Sequence, residues 1–109
     1  MEITESLSNG TKIIRTAGRI DAYSAKTLED CLKKAIDGGD RSILVSLKDT
    51  DYISSGGLRV FLATLKELRK SGGSLKLCCL SPGVLKIFKL AGFTTIFSIF
   101  GTEQEALAV

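Results

Sequence analysis

The residues best suited to chemistry gather in one segment, Asp51-Tyr52-Ile53-Ser54-Ser55-Gly56-Gly57-Leu58-Arg59. Two adjacent hydroxyls stand directly before two glycines. After them Leu58, Phe61, Leu62, Leu65 and Leu68 recur at the spacing of an amphipathic helix. The first amides of a helix have no intrahelical partner, and the dipole is positive at that end. Serine is a favoured cap for such an end, and glycine lets a tight turn form without a Cβ clash. On spacing alone, Ser54 or Ser55 caps this helix, and a cap needs no further function.

Catalytic readings of the same segment lack their machinery. A serine hydrolase elbow requires G-x-S-x-G and a base, usually histidine, and the chain has no histidine at all. Ser–Lys chemistry has no supporting motif, and the phosphate loop G-x-x-x-x-G-K-[ST] is absent. No nucleophile–base pair can be named, so the chain reads as a non-enzyme with no cofactor. Asp49 and Asp51 read as solvated loop charges rather than magnesium ligands. Asp21 either closes a turn or meets a partner. Cys31, Cys78 and Cys79 read as reduced thiols; adjacent Cys78 and Cys79 on a strand would point to opposite faces, away from a shared metal.

The elements that must position this segment follow from periodicity. Glu2–Leu7 and Thr11–Ala17 read as strands joined by the hairpin signal Asn9-Gly10, with Gly18–Asp21 leading away. Ala25, Leu28, Leu32, Ala35 and Ile36 predict a helix from about Ser24 to Asp37, with Ser24 as cap and Gly38-Gly39 as its end. Ile43-Leu44-Val45 predicts a strand over Ser42–Leu47 buried on both faces, then a polar loop over Lys48–Ser55. The second helix runs from Gly56 or Gly57 to Lys70. Leu75–Leu80 is the next strand, Ser81-Pro82 starts a third helix that Gly92 ends, Thr95–Phe100 is a last strand, and Thr102 with Glu105 caps a terminal helix. Phe93, Phe97 and Phe100 read as core. The order ββαβαβαβα implies an α/β fold, a mixed and mostly parallel sheet of about five strands with about four helices. Loops at the carboxyl ends of such strands are where sites form, which points to Asp21 and Ser55.

Composition bounds the partners. The 109 residues suit one domain, spanning 1–109, and 44% hydrophobic with 25% charged residues is the balance of a soluble globule. The net charge of +3 comes from fifteen basic residues scattered among twelve acidic ones, with no basic stripe interleaved with aromatics. Direct nucleic-acid binding is therefore not expected. No apolar run reaches the roughly 18 residues a membrane span needs, and Met1–Gly10 lacks the pattern of a signal peptide, so the expected location is the cytoplasm without membrane association.

The segment Asp51–Val60 resembles the phosphorylation loop of bacterial anti-sigma factor antagonists, members of the STAS domain family. Gly18-Arg19-Ile20-Asp21 resembles the family's Gly-x-x-Asp after the second strand, Ile43–Asp49 its central strand, and Leu80-Ser81-Pro82-Gly83-Val84 its Ser-Pro helix start. The resemblance covers essentially the whole chain. The family loop is commonly Asp-Ser-Ser-Gly-Leu or Asp-Ser-Thr-Gly-Leu. Aligned on Gly57-Leu58, it places Ser55 at the phosphorylated position, Ser54 where the aspartate often stands, and Gly56 at the following Ser or Thr. No carboxylate therefore directly precedes the acceptor, and Ser54 is the alternative acceptor. The resemblance implies a partner surface of Asp21, Tyr52, Ser54, Ser55, Gly56, Gly57, Leu58 and Arg59. It further implies an anti-sigma factor serine kinase as partner, bound by the unphosphorylated form so that the sigma factor is released. Phosphorylation ends that binding, and a PP2C-like phosphatase restores it. The other reading within this fold is an unphosphorylated scaffold subunit of a signalling or transport assembly.

Overall fold

The computed structural model describes residues 1–109. Strands β1 (Glu2–Ser8) and β2 (Thr11–Ile20) form an antiparallel hairpin. At its turn Asn9 and Gly10 both take positive φ, 47° and 83°, as a two-residue turn matched to strand twist requires. Then follow α1 (Ala22–Asp37), β3 (Ser42–Ile53), α2 (Ser55–Lys70), β4 (Ser74–Cys78), α3 (Pro82–Leu90), a 3₁₀ turn (Phe93–Thr95), β5 (Ser98–Phe100) and α4 (Glu103–Leu107). The expected order of strands and helices is the observed one.

The sheet order is β1-β2-β3-β4-β5, with β2 through β5 parallel. Each right-handed crossover steps to the next neighbour in the same direction, so α1, α2 and α3 all land on one face. That face holds the main core, in which Ile14, Ile20, Leu28, Leu32, Val45, Leu47, Phe61, Leu68, Leu77 and Phe88 are buried. The other face has only a small cluster of Ile13, Leu44, Cys78 and Ala106 beneath α4. Two polar clamps pin α4 there. Arg15 donates to both carboxylate oxygens of Glu103, over 2.8 and 2.9 Å, and the Lys76 ammonium donates to the Ala106 and Val109 carbonyl oxygens.

Several element boundaries differ from the sequence expectation, each for a physical reason. The stretch Lys48–Ile53 is the second half of β3 and not a loop, and Gly18–Ile20 continues β2 beside it. The register jumps from Arg15↔Ser46 to Ala17↔Asp49, and from Gly18↔Thr50 to Arg19↔Tyr52. Each jump inserts an extra β3 residue, a bulge that breaks the two-residue alternation by which strands are recognised. Between them the buried hydroxyls of Thr16 and Thr50 are 2.6 Å apart. Strand β4 stops at Cys78 because Cys79 has φ of 65°, so the two cysteines do not alternate across a strand. Phe93 and Phe97 pack edgewise on Phe88, which holds Phe93–Thr95 in a 3₁₀ turn and shortens β5. Phe97 is buried as expected of core, whereas Phe93 and Phe100 are half-buried.

Candidate functional site

The site is built where β2 and β3 end side by side. Ile20 and Ile53 are register partners, and the chain turns from each into a helix, so the N-termini of α1 and α2 start together. The Ser54 amide donates to the Ile20 carbonyl oxygen over 2.7 Å, which ties the two turns to each other. Neither helix has an acidic residue in its first turn; α1 is capped by the Asp21 carboxylate and α2 by the neutral Ser54 hydroxyl, so the positive dipole end left uncompensated by its cap is that of α2.

The two serines take different roles. Ser54 is the cap of α2: its Oγ accepts from the Gly57 amide over 3.2 Å, and its carbonyl oxygen accepts from the Leu58 amide over 3.0 Å. Ser55 is the first residue of the helix, exposed, and its hydroxyl has no hydrogen-bond partner within the chain. Spacing alone left the cap open between them; geometry assigns it to Ser54 and leaves the Ser55 Oγ free.

The glycines also separate. A Cβ on Gly57 would lie 2.7 Å from Ile20 Cγ2 and 2.8 Å from Ile53 Cγ1, so only glycine lets the first turn of α2 press onto the strand ends. Gly57 is needed for packing, and the tight-turn argument does not apply to it. At Gly56 a Cβ would meet nothing nearer than Ser54 Oγ at 3.6 Å and Ala25 Cβ at 3.9 Å, which is ordinary contact. A side chain would fit there.

Asp21, not Ser24, caps α1, which begins two residues earlier than its apolar stripe suggests. Asp21 Oδ1 accepts from the Ser24 amide over 2.8 Å, and the Asp21 amide donates to Ser24 Oγ over 2.9 Å. The Ser24 amide and the Ser24 hydroxyl, which donates to Asp21 Oδ1 over 3.0 Å, hold the Asp21 carboxyl below its ordinary range, with smaller help from the Tyr23 amide and the Arg19 charge. Tyr52 is half-buried because the Arg19 guanidinium stacks on its ring, 4.3 Å from the centroid. Leu58 is buried at 8% exposure and belongs to the core, whereas Arg59 is exposed. Asp49 and Asp51 are exposed on β3, and neither belongs to a group of potential metal ligands.

Two residues of this surface escaped the sequence reading. Arg19 reads as a turn residue until the β2–β3 register sets it over Tyr52. Tyr23 is 87% exposed in the first turn of α1, the most exposed of the large apolar side chains. Its signal was available: an aromatic two residues after the capping aspartate, off the apolar stripe.

The sequence model of the STAS domain matches residues 2–106, and the chain belongs to the STAS domain family. An anti-sigma-B factor antagonist of Bacillus subtilis is 40% identical over 91 residues, covering 84% of this chain and 83% of that protein. BtrV of Bordetella bronchiseptica is 37% identical over 108 residues, covering 99% of this chain and 93% of its own. The fold matches the Bacillus cell fate determinant SpoIIAA in its phosphorylated form (TM-score 0.77, 23% identity, 98% and 97% of the two chains). It also matches an anti-sigma factor antagonist from Mycobacterium paratuberculosis (TM-score 0.90, 20% identity, 98% and 91%). No helix is long and apolar enough to cross a membrane.

Proposed function

We propose that this protein is an anti-sigma factor antagonist controlled by phosphorylation of Ser55. Its unmodified form binds an anti-sigma factor that is also a serine kinase, and the sigma factor is released. Phosphoryl transfer to Ser55 ends the binding, and a PP2C-like phosphatase reverses it. The observation that carries this reading is the free, exposed Ser55 Oγ beside a helix cap already supplied by Ser54. A kinase can reach that oxygen without dismantling the fold. Supporting it are relatives named as anti-sigma-B factor antagonists and a structural neighbour known in a phosphorylated form.

Of the residues the resemblance names, Asp21, Tyr52, Ser54, Ser55, Gly56 and Arg59 are at least partly exposed and form the proposed partner surface, while Gly57 and Leu58 are buried beneath it. Their roles differ: Gly57, Leu58 and Ser54 shape the turn, and Ser55, Arg59 and the rim of Tyr52 make the contact. Phosphate brings about −1.5 to −2 charges and three acceptor oxygens. At the start of α2 it faces unpaired amides and the positive dipole, so the domain tolerates it. Inside a closed interface the same group must be desolvated against whatever had accommodated a neutral hydroxyl, a mismatch that costs several kcal/mol.

The test is intact mass after incubation with the cognate kinase and ATP. Wild type and Ser54→Ala should gain one phosphate and Ser55→Ala none. A gain that persists in Ser55→Ala moves the acceptor to Ser54. No gain on wild type favours the unphosphorylated scaffold reading.

A further inference from the structure

A second cluster of reactive side chains lies at the end of β4. Cys78 closes the strand, fully buried beside Ile13, Leu44 and Ala106. Cys79 follows in the left-handed region, held there by the hydrogen bond from its amide to the Phe100 carbonyl oxygen, 3.0 Å. That conformation is uncommon for a residue with a Cβ. It brings together two side chains that a continuing strand would send to opposite faces, and the two sulfurs lie 3.1 Å apart. Cys79 is half-buried and lines an open cavity of about 570 Å³ together with Lys48, Leu80, Gly101, Thr102 and Glu103.

Two thiols so placed can bond to each other or to one common atom. Consecutive Cα atoms are ~3.8 Å apart. Relaxed disulfides begin at about 4.4 Å, so a direct bond here is strained and easily reduced. One atom set between the sulfurs relieves that strain. Tetrahedral zinc needs further protein ligands, and no group of three Cys, His, Asp or Glu side chains gathers anywhere in the structure. The geometry suits a soft centre that takes two bonds from the protein and keeps a third substituent in the cavity.

We propose that Cys78 and Cys79 form a chelating dithiol site for a trivalent arsenic centre, with its third substituent lying in the cavity over Lys48, Leu80 and Thr102. Cys79, on the cavity wall, bonds first, and Cys78 closes the chelate. Burial is the main cause that pushes the Cys78 thiol up to about 12, so it reacts as a thiol. The step is a condensation with an aryl arsenoxide hydrate: two As–S bonds form, two As–O bonds break, each thiol proton leaves with an oxygen as water, and arsenic stays trivalent.

The experiment titrates the full chain with phenylarsine oxide in excess glutathione and reads intact mass. Circular dichroism verifies that each variant is folded. The parent and Cys31→Ser should retain one arsenical, released by an added dithiol. Cys79→Ser should retain it about 100-fold more weakly, because the second sulfur supplies its advantage as effective concentration. Cys78→Ser should behave alike, and if it fails to fold, Cys79→Ser carries the test alone. Retention by Cys79→Ser equal to the parent, or loss from the parent to glutathione, overturns the proposal.

Discussion

At the scale of single residues, the account rests on a division of labour between neighbours of the same type. Ser54 caps and Ser55 is free, so their alanine variants should differ in kind. Ser54→Ala removes the acceptor for the Gly57 amide and should lower stability by about 1 kcal/mol, read by urea unfolding. Ser55→Ala should leave stability within about 0.5 kcal/mol of the parent, since it removes no contact. The glycine pair gives a second contrast. Gly57→Ala forces a Cβ into Ile20 and Ile53 and should cost about 1–3 kcal/mol. Gly56→Ala has room and should be neutral or stabilising, by up to about 1 kcal/mol. Residue spacing draws neither distinction, and the resemblance singles out Ser55 as acceptor without saying which serine caps. Two serines and two glycines in a row are chemically interchangeable on paper, and only the approach of α2 to the ends of β2 and β3 separates them.

At the scale of elements, the caps and the docked terminal helix carry a dependence on acid. The carboxyls of Asp21 and Glu103 both lie below their ordinary values of 3.8 and 4.5. Asp21 is held down chiefly by the Ser24 amide and Glu103 chiefly by the Arg15 guanidinium. A carboxyl depressed on folding adds stability that is fully present above its unfolded value and is lost as pH falls through its folded one. Below about pH 4.5 the protein should therefore weaken, and Asp21→Asn or Glu103→Gln should each flatten the slope of stability against pH in that window. Equal slopes in parent and variants would contradict these assignments. Glu103→Gln should also speed amide exchange over residues 103–107, because the Arg15 contact pins α4. Helices were the elements most legible in the sequence, since their apolar stripes are local. The second half of β3 was not, because two bulges erase its alternation and its polar residues face solvent or the Thr16–Thr50 pair. Asp21 looked like a turn residue for a related reason: its capping role depends on where β2 ends.

At the scale of the whole molecule, the sequence order already implied a mostly parallel sheet with an antiparallel edge. It did not imply that consecutive neighbours would leave one face nearly bare. That one-sided winding brings the starts of α1 and α2 together and makes the Ser55 surface. A dianion there meets the N-terminus of α2, whose cap is neutral, so phosphorylation should not unfold the domain. The melting temperature of the phosphorylated protein should equal or exceed that of the unmodified one. A drop of several degrees would point to release by unfolding.

The most direct test is calorimetric titration of the anti-sigma factor kinase with two preparations of the same folded chain, one unmodified and one stoichiometrically phosphorylated at Ser55. Tight binding by the first and binding weakened by roughly 100-fold or more, about 2.7 kcal/mol, by the second is the predicted result. Equal affinity for the two would contradict control of docking through Ser55.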